Sequence, residues 1–221
     1  MKTLITLLGS ALLLMTSSAL AQDKVDKELE VSPTSRLSID NMRGKLELIT
    51  SETDSVRVVG TLDEEAEEFI FEKRGNTLYV EVKPPQNKGF SFSSSDSDGS
   101  DLKVYAPESM DIDVKGVSMD VLAAGFTNDF DVRLVSGNIS VSDISGLIHL
   151  KTVSGNINSK RASGNGSFET VSGDITDTEN TSAEGSYQAV SGDIIVESDS
   201  LSDITMQSVS GDINATLGIL G

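Results

Sequence analysis

Hydrophobic and polar residues alternate with a period of two through the second half of the chain, as in Ile139-Ser-Val141 and Ile148-His-Leu150. That is the period of a strand with one buried face, and no stretch there carries a helical stripe. A longer period lies over it. The pentapeptides Val135-Ser-Gly-Asn-Ile139, Val153-Ser-Gly-Asn-Ile157, Val171-Ser-Gly-Asp-Ile175, Val190-Ser-Gly-Asp-Ile194 and Val209-Ser-Gly-Asp-Ile213 start 18, 18, 19 and 19 residues apart. A fixed short period with a constant turn and apolar flanks means one small unit stacked on copies of itself.

Aligning the copies on their Val predicts the inward positions. Three residues before it stand Val132, Leu150, Phe168, Tyr187 and Met206, and four after it stand Ile139, Ile157, Ile175, Ile194 and Ile213. Two further on stand Val141, Ser159, Asp177, Val196 and Ala215, a position expected to be buried only in some copies. One such unit cannot bury its own apolar face, whereas parallel copies stacked at ~4.8 Å bury them all in one column. The Ile and the Val of each pentapeptide are therefore expected to form core ladders through a short coil rising ~25 Å. The expected fold class is all-β: a single-domain parallel β-solenoid, or β-helix, with 18 to 19 residues per turn.

The Ser-Gly-Asp/Asn step reads as the corner. Gly137, Gly155, Gly173, Gly192 and Gly211 can take positive φ without a Cβ penalty. Asn138, Asn156, Asp174, Asp193 and Asp212 can bond their own backbone in Asx-turns or form a ladder with the neighbouring rung. Every rung carries the motif, whereas an active site needs it once, so its role is structural.

The first half is strand-like but irregular. Strands are expected at Ser35–Ile39, Lys45–Thr50, Ser55–Thr61, Phe69–Glu72, Thr77–Val82, Asp101–Tyr105 and Asp111–Val114. Met42-Arg-Gly-Lys-Leu46 echoes the repeated corner, with Gly44 as its glycine and Leu46 in the Ile place; Val114-Lys-Gly116 reads as a degenerate corner. Residues 22–130 are thus expected to continue or cap the stack, some as antiparallel hairpins, and 131–221 to form its regular rungs. The acidic run Glu64–Glu68 reads as a solvated edge and Ser91–Asp101 as a polar loop.

Residues 1–21 read as a secretory signal peptide, with Lys2, an apolar stretch too short to span a bilayer, and the cleavage pattern Ala19-Leu-Ala21. Export to the periplasm, the cell surface or beyond is expected, without stable membrane insertion. There is no cysteine, so neither a lipid attachment site, a disulfide framework nor thiol chemistry is available. A formal charge of −18 repels phosphate backbones, which argues against nucleic acid as a partner.

Candidate chemistry is thin. His149 is the only histidine and lies between the inward positions Ile148 and Leu150, so it faces outward. One histidine cannot activate five repeated serines, and no catalytic residue or cofactor is expected. Weak calcium candidates are Asp96, Asp98 and Asp101 in the polar loop, and Asp174, Asp193 and Asp212 on successive rungs, where like charges ~5 Å apart could recruit a cation. Variable outward residues such as Ser140, His149, Lys151, Asn158, Glu169, Gln188 and Gln207 line the faces.

With these residues assembled, the chain resembles the bacterial putative-adhesin domain family, known by repeated V-S-G-D-I/V units. The resemblance runs through Leu37-Ser-Ile-Asp-Asn-Met-Arg-Gly-Lys-Leu-Glu-Leu48, Val56-Arg-Val-Val-Gly60, Thr77-Leu-Tyr-Val-Glu-Val82, Leu102-Lys-Val-Tyr-Ala-Pro107 and the five corners. It implies a β-solenoid of the cell envelope and no assigned activity. The leading expectation is a non-enzymatic exported binding or scaffold module whose partner is an envelope protein or glycan. Its rivals are an envelope-stress sensor that binds a peptide or cell-wall fragment, and a carbohydrate-active enzyme. The segment Thr216–Gly221 carries no charge, so it is expected either to fold over the stack end or to let two chains meet there.

Overall fold

The computed structural model describes residues 23–32, 34–84, 99–200 and 203–218. The expected leader and the candidates Asp96 and Asp98 lie outside them. The first half holds β1 (Lys24–Glu30), β2 (Arg36–Ser51), β3 (Ser55–Thr61), β4 (Glu68–Arg74), β5 (Thr77–Lys83), β6 (Ser100–Pro107) and β7 (Asp111–Ala124). In the second half, long and short strands alternate: β8 (Phe130–Ser136), β9 (Ile139–Ser142), β10 (Leu147–Ser154), β11 (Ile157–Lys160), β12 (Asn165–Ser172) and β13 (Ile175–Asn180). β14 (Glu184–Ser191), β15 (Ile194–Ser198), β16 (Asp203–Ser210) and β17 (Ile213–Leu217) complete the series.

The chain winds as a parallel coil. On the long-strand face the neighbours run β4, β5, β2, β7, β8, β10, β12, β14, β16. On the short-strand face they run β1, β3, β6, β2, β7, β9, β11, β13, β15, β17. The solenoid expected from the repeat spacing is the fold found. Rungs stack in register, Ile139 beside Ile157, then Ile175, Ile194 and Ile213. Where the spacing lengthens from 18 to 19, the register shifts between Asp177 and Asn180 at the second corner.

Among the described residues, antiparallel pairs occur only in the first half, joining β1 to β3, β3 to β6 and β4 to β5. They cap the N-terminal end of the stack. The sequence pattern split β2 into two strands and stopped β7 at Val114, but both run unbroken round the first corner and serve both faces. Gly44 has a φ of 116°, and Leu46 sits beside Val121 in the Ile139 column. The second corner copy is not Val114-Lys-Gly116. Ser118 pairs with Ser136 and Val121 with Ile139, which makes Val117-Ser-Met-Asp-Val121 the copy, with Met119 in the glycine place.

The core is a set of columns. Val132, Leu150, Phe168 and Tyr187 are fully buried, and the Phe168 and Tyr187 rings stack 4.9 Å apart and 3° from parallel. Ile139, Ile157, Ile175 and Ile194 are fully buried too, each gaining about 1.5–3 kcal/mol by leaving water. Val135, Val153, Val171, Val190 and Val209 correct the expectation of a second core ladder, because they face outward and are 41–74% exposed. The reason is parity: each stands three residues, an odd number, after an inward residue. The inward neighbours are instead Leu134, Thr152, Thr170 and Ala189. Ile213 also leaves the expected core ladder, at 44% exposed, since among the described residues no rung lies beneath it.

The corner needs glycine for two reasons. Gly173 has a φ of +144°, and a Cβ there would stand 2.1 Å from the Gly155 carbonyl oxygen of the rung above. The Asn/Asp beside it forms a ladder between rungs. The backbone N–H groups of Asn138, Asn156, Asp174, Asp193 and Asp212 donate to the side-chain Oδ1 of Asp120, Asn138, Asn156, Asp174 and Asp193, at 2.8–3.0 Å. Buried hydroxyls complete the corner, with Thr152 and Thr170 donating to the carbonyls of Gly137 and Gly155 at 3.2 Å.

Candidate functional site

The short-strand face carries a shallow open groove of about 320 Å³ over β7, β9, β11 and β13. Alternation turns every second residue of these strands outward, and the in-register stack sets equivalent residues side by side. One column reads Leu122, Ser140, Asn158, Thr176, and its neighbour reads Ala124, Ser142, Lys160, Thr178. The groove therefore presents hydroxyls, one amide and one ammonium group at the ~4.8 Å strand spacing. Leu122, 44% exposed, supplies an apolar contact at one end.

Two polar ladders bound the groove. On one side runs the Asp120-Asn138-Asn156-Asp174 ladder, whose Oδ1 atoms are occupied by backbone N–H groups. On the other, Asp143, Arg161 and Glu179 occupy equivalent places at the second corner, each with φ of 55–56°. Arg161 grips Asp143 with two hydrogen bonds of 2.6 and 2.7 Å and reaches Glu179 at 3.4 Å. Lys160 lies 2.9 Å from Glu179. The Arg161 guanidinium holds the Asp143 carboxyl below the usual carboxylate range, and Lys160 followed by Arg161 does the same for Glu179. The rim is thus locked in its charged form at neutral pH, with non-glycine residues held in a left-handed conformation.

The other outward residues named from the sequence gather on the long-strand face. His149 Nδ1 lies 3.4 Å from Asp131 and its Nε2 lies 3.7 Å from Glu169, while Lys151 bonds Glu169 at 2.5 Å and Arg133 bonds Asp131. Lys151, foremost, lowers the Glu169 carboxyl from its ordinary value. Gln188 and Gln207 continue the Glu169 column away from this cluster. The structure thus divides the named residues between two faces, with only Ser140 and Asn158 in the groove.

Among the described residues, no group of three or more His, Asp or Glu side chains is placed to hold a metal. Asp174 and Asp193 use an oxygen on the next rung's backbone, and Asp101 lies on β6 beside Lys45 of β2. The sequence reading missed Asp143, Arg161 and Glu179, although their 18-residue spacing and alternating sign were a usable signal.

One polar cluster is interior. Asp177, fully buried, accepts a hydrogen bond of 2.7 Å from the Tyr187 hydroxyl and another from the Asn180 amide. Ser159, in the same inward column, adds a weaker contact to this carboxyl. Burial pushes the Asp177 carboxyl above its ordinary value, against the opposing pull of Tyr187, Asn180 and Ser159. Burial raises the Tyr187 hydroxyl as well.

Comparison with known proteins adds a family. The model of the family described as Toastrack DUF4097 matches residues 34–218. No curated protein matches the chain. Among solved structures, a putative cell adhesion protein from Clostridium sporogenes is similar at 13% identity and a TM-score of 0.49, covering 88% of this chain and 100% of that one. A putative adhesin from Bacteroides fragilis is similar at 13% identity and a TM-score of 0.48, covering 89% of this chain and 98% of that one.

Proposed function

Since the chain belongs to the Toastrack DUF4097 family, we propose that it is a non-enzymatic, exported binding module of the cell envelope whose contact surface is the short-strand groove. The observation that carries this reading is the groove's lining: hydroxyls repeated at one fixed strand spacing, with the Asn158 amide and the Lys160 ammonium group among them. Such a surface suits an extended, hydroxyl-rich polymer, held by many weak hydrogen bonds along its length. An envelope glycan has that chemistry. The lining includes Lys160 but no carboxylate and no histidine. Glycoside hydrolysis commonly uses a pair of carboxylates across the scissile bond, so this lining favours binding over cleavage. Export is supported by the N-terminal leader pattern. Among the described residues no helix is long and apolar enough to cross a membrane.

The test is co-sedimentation with purified peptidoglycan sacculi, using the full-length gene product as the cell exports it. The double substitution Asn158→Ala, Thr176→Arg removes the groove's amide and fills the neighbouring outward position. It is expected to weaken binding by about tenfold or more while leaving the melting temperature unchanged. Wild-type protein that stays in the supernatant, or a variant that binds equally well, would overturn the glycan reading.

A further inference from the structure

We infer that two copies of this chain join end to end through the open edges of β16 and β17, forming a closed two-fold dimer. The rung Asp203–Leu217 carries the pairing groups of every rung above it. In the interior, the Gly192 and Ile194 N–H groups donate to the Ser210 and Asp212 carbonyls at 3.0 and 2.9 Å. The equivalent N–H groups of Gly211 and Ile213 have no such acceptor among the described residues. The same alternation that aims the Ile213 N–H away from β15 aims the Ala215 and Leu217 N–H groups with it. Beside these backbone groups lie apolar side chains that inner rungs bury, with Ile213 at 44% and Leu217 at 43% exposed. Leu217 lies within β17, paired with Ser198, and does not fold across the end. The rest of the expected covering tail, 219–221, lies outside the described residues.

Charge argues for a second copy as the occupant. The chain carries −18, so copies repel one another wherever acidic faces meet. β16 contains one charged residue, Asp203, and β17 contains none. The corner between them adds Asp212 alone. The opposite end argues against an open head-to-tail filament. There the outer strands are β1, with Lys24, Asp26, Lys27, Glu28 and Glu30, and β4, with Glu68, Glu72, Lys73 and Arg74. Charged edges of this kind resist strand addition. The remaining contact is the open end on itself, which is isologous and closes after two copies.

The experiment is sedimentation velocity on the exported full-length gene product across a dilution series, with three variants. Ala215→Pro deletes an outward-aimed N–H without touching a bond to β15, and Leu217→Asp adds charge to the edge. In a two-fold contact each change occurs twice, so each is expected to raise the dimer dissociation constant by about tenfold or more. Lys73→Glu at the far end is expected to leave it unchanged. A wild-type chain that stays monomeric throughout the series would overturn the inference. A dimer that survives both end substitutions, or an open-ended polymer, would overturn it as well.

Discussion

The rung formed by β14 and β15 and the rung formed by β16 and β17 have closely similar sequences and opposite environments. Tyr187 and Ile194 are fully buried, whereas Met206 is only partly buried and Ile213 is 44% exposed. At the far end of the stack, β2 does not face solvent in this way, because β5 with β4 and β6 with β3 and β1 extend both faces beyond it. The difference lies in the neighbour, since a repeat in a solenoid buries its apolar face only against the next repeat. The Val-Ser-Gly-Asp-Ile unit therefore encodes a surface that can stack, and whatever lies adjacent decides whether it becomes core.

The largest effect that separates interior from end is truncation of the Ile ladder. Ile175→Ala, with rungs on both sides, is expected to cost about 2–5 kcal/mol in urea unfolding. Ile213→Ala, made in dilute solution, is expected to cost less than about 1 kcal/mol, since a half-exposed side chain leaves no closed cavity. Equal losses at the two positions would show that the last rung is as buried as the interior ones.

A smaller effect is expected within the interior, which is not uniformly apolar. Asp177 lies in the inward column that also holds Val141, Ser159 and Val196. Its folded carboxyl titrates above the ordinary 3.8 because burial disfavours the charged form. The stability it supplies is therefore complete below the ordinary value and declines as pH rises through the raised one. Asp177→Asn keeps an acceptor for Tyr187 and offers an N–H towards Ser159. It is expected to stabilise the fold by about 1 kcal/mol at pH 7, with the gain vanishing at acid pH. Thermal melts at the two pH values check this; a variant less stable at pH 7 would show that the carboxylate is needed.

Much of the fold was legible because the repeat is nearly exact. The spacing gave the rung, the glycines gave the corner, and Ile139 through Ile194 gave a ladder. The repeated Val was not legible as an outward residue from its apolar character alone; it lies an odd number of residues from the inward column and so faces out. Val117-Ser-Met-Asp-Val121 was hidden for another reason: Met119 stands in the glycine place, although the copy lies one 18-residue step before Val135. β1 went unnoticed because five of its seven residues are charged, leaving Val25 and Leu29 as its apolar signal. Of the groove, Ser140 and Asn158 were visible as outward residues, but concavity depends on how neighbouring rungs bend, which local alternation does not encode.

Among the described residues, burial passes from rung to rung and ends at β17. Amide hydrogen exchange on dilute, monomeric protein reads this rung by rung. Slow exchange is expected through Ile157–Lys160, Ile175–Asn180 and β3, which is paired on both sides, with much faster exchange in Ile213–Leu217 that slows as the protein is concentrated. Uniformly slow exchange to Leu217 in the dilute chain, or β3 exchanging as fast as β17, would contradict it.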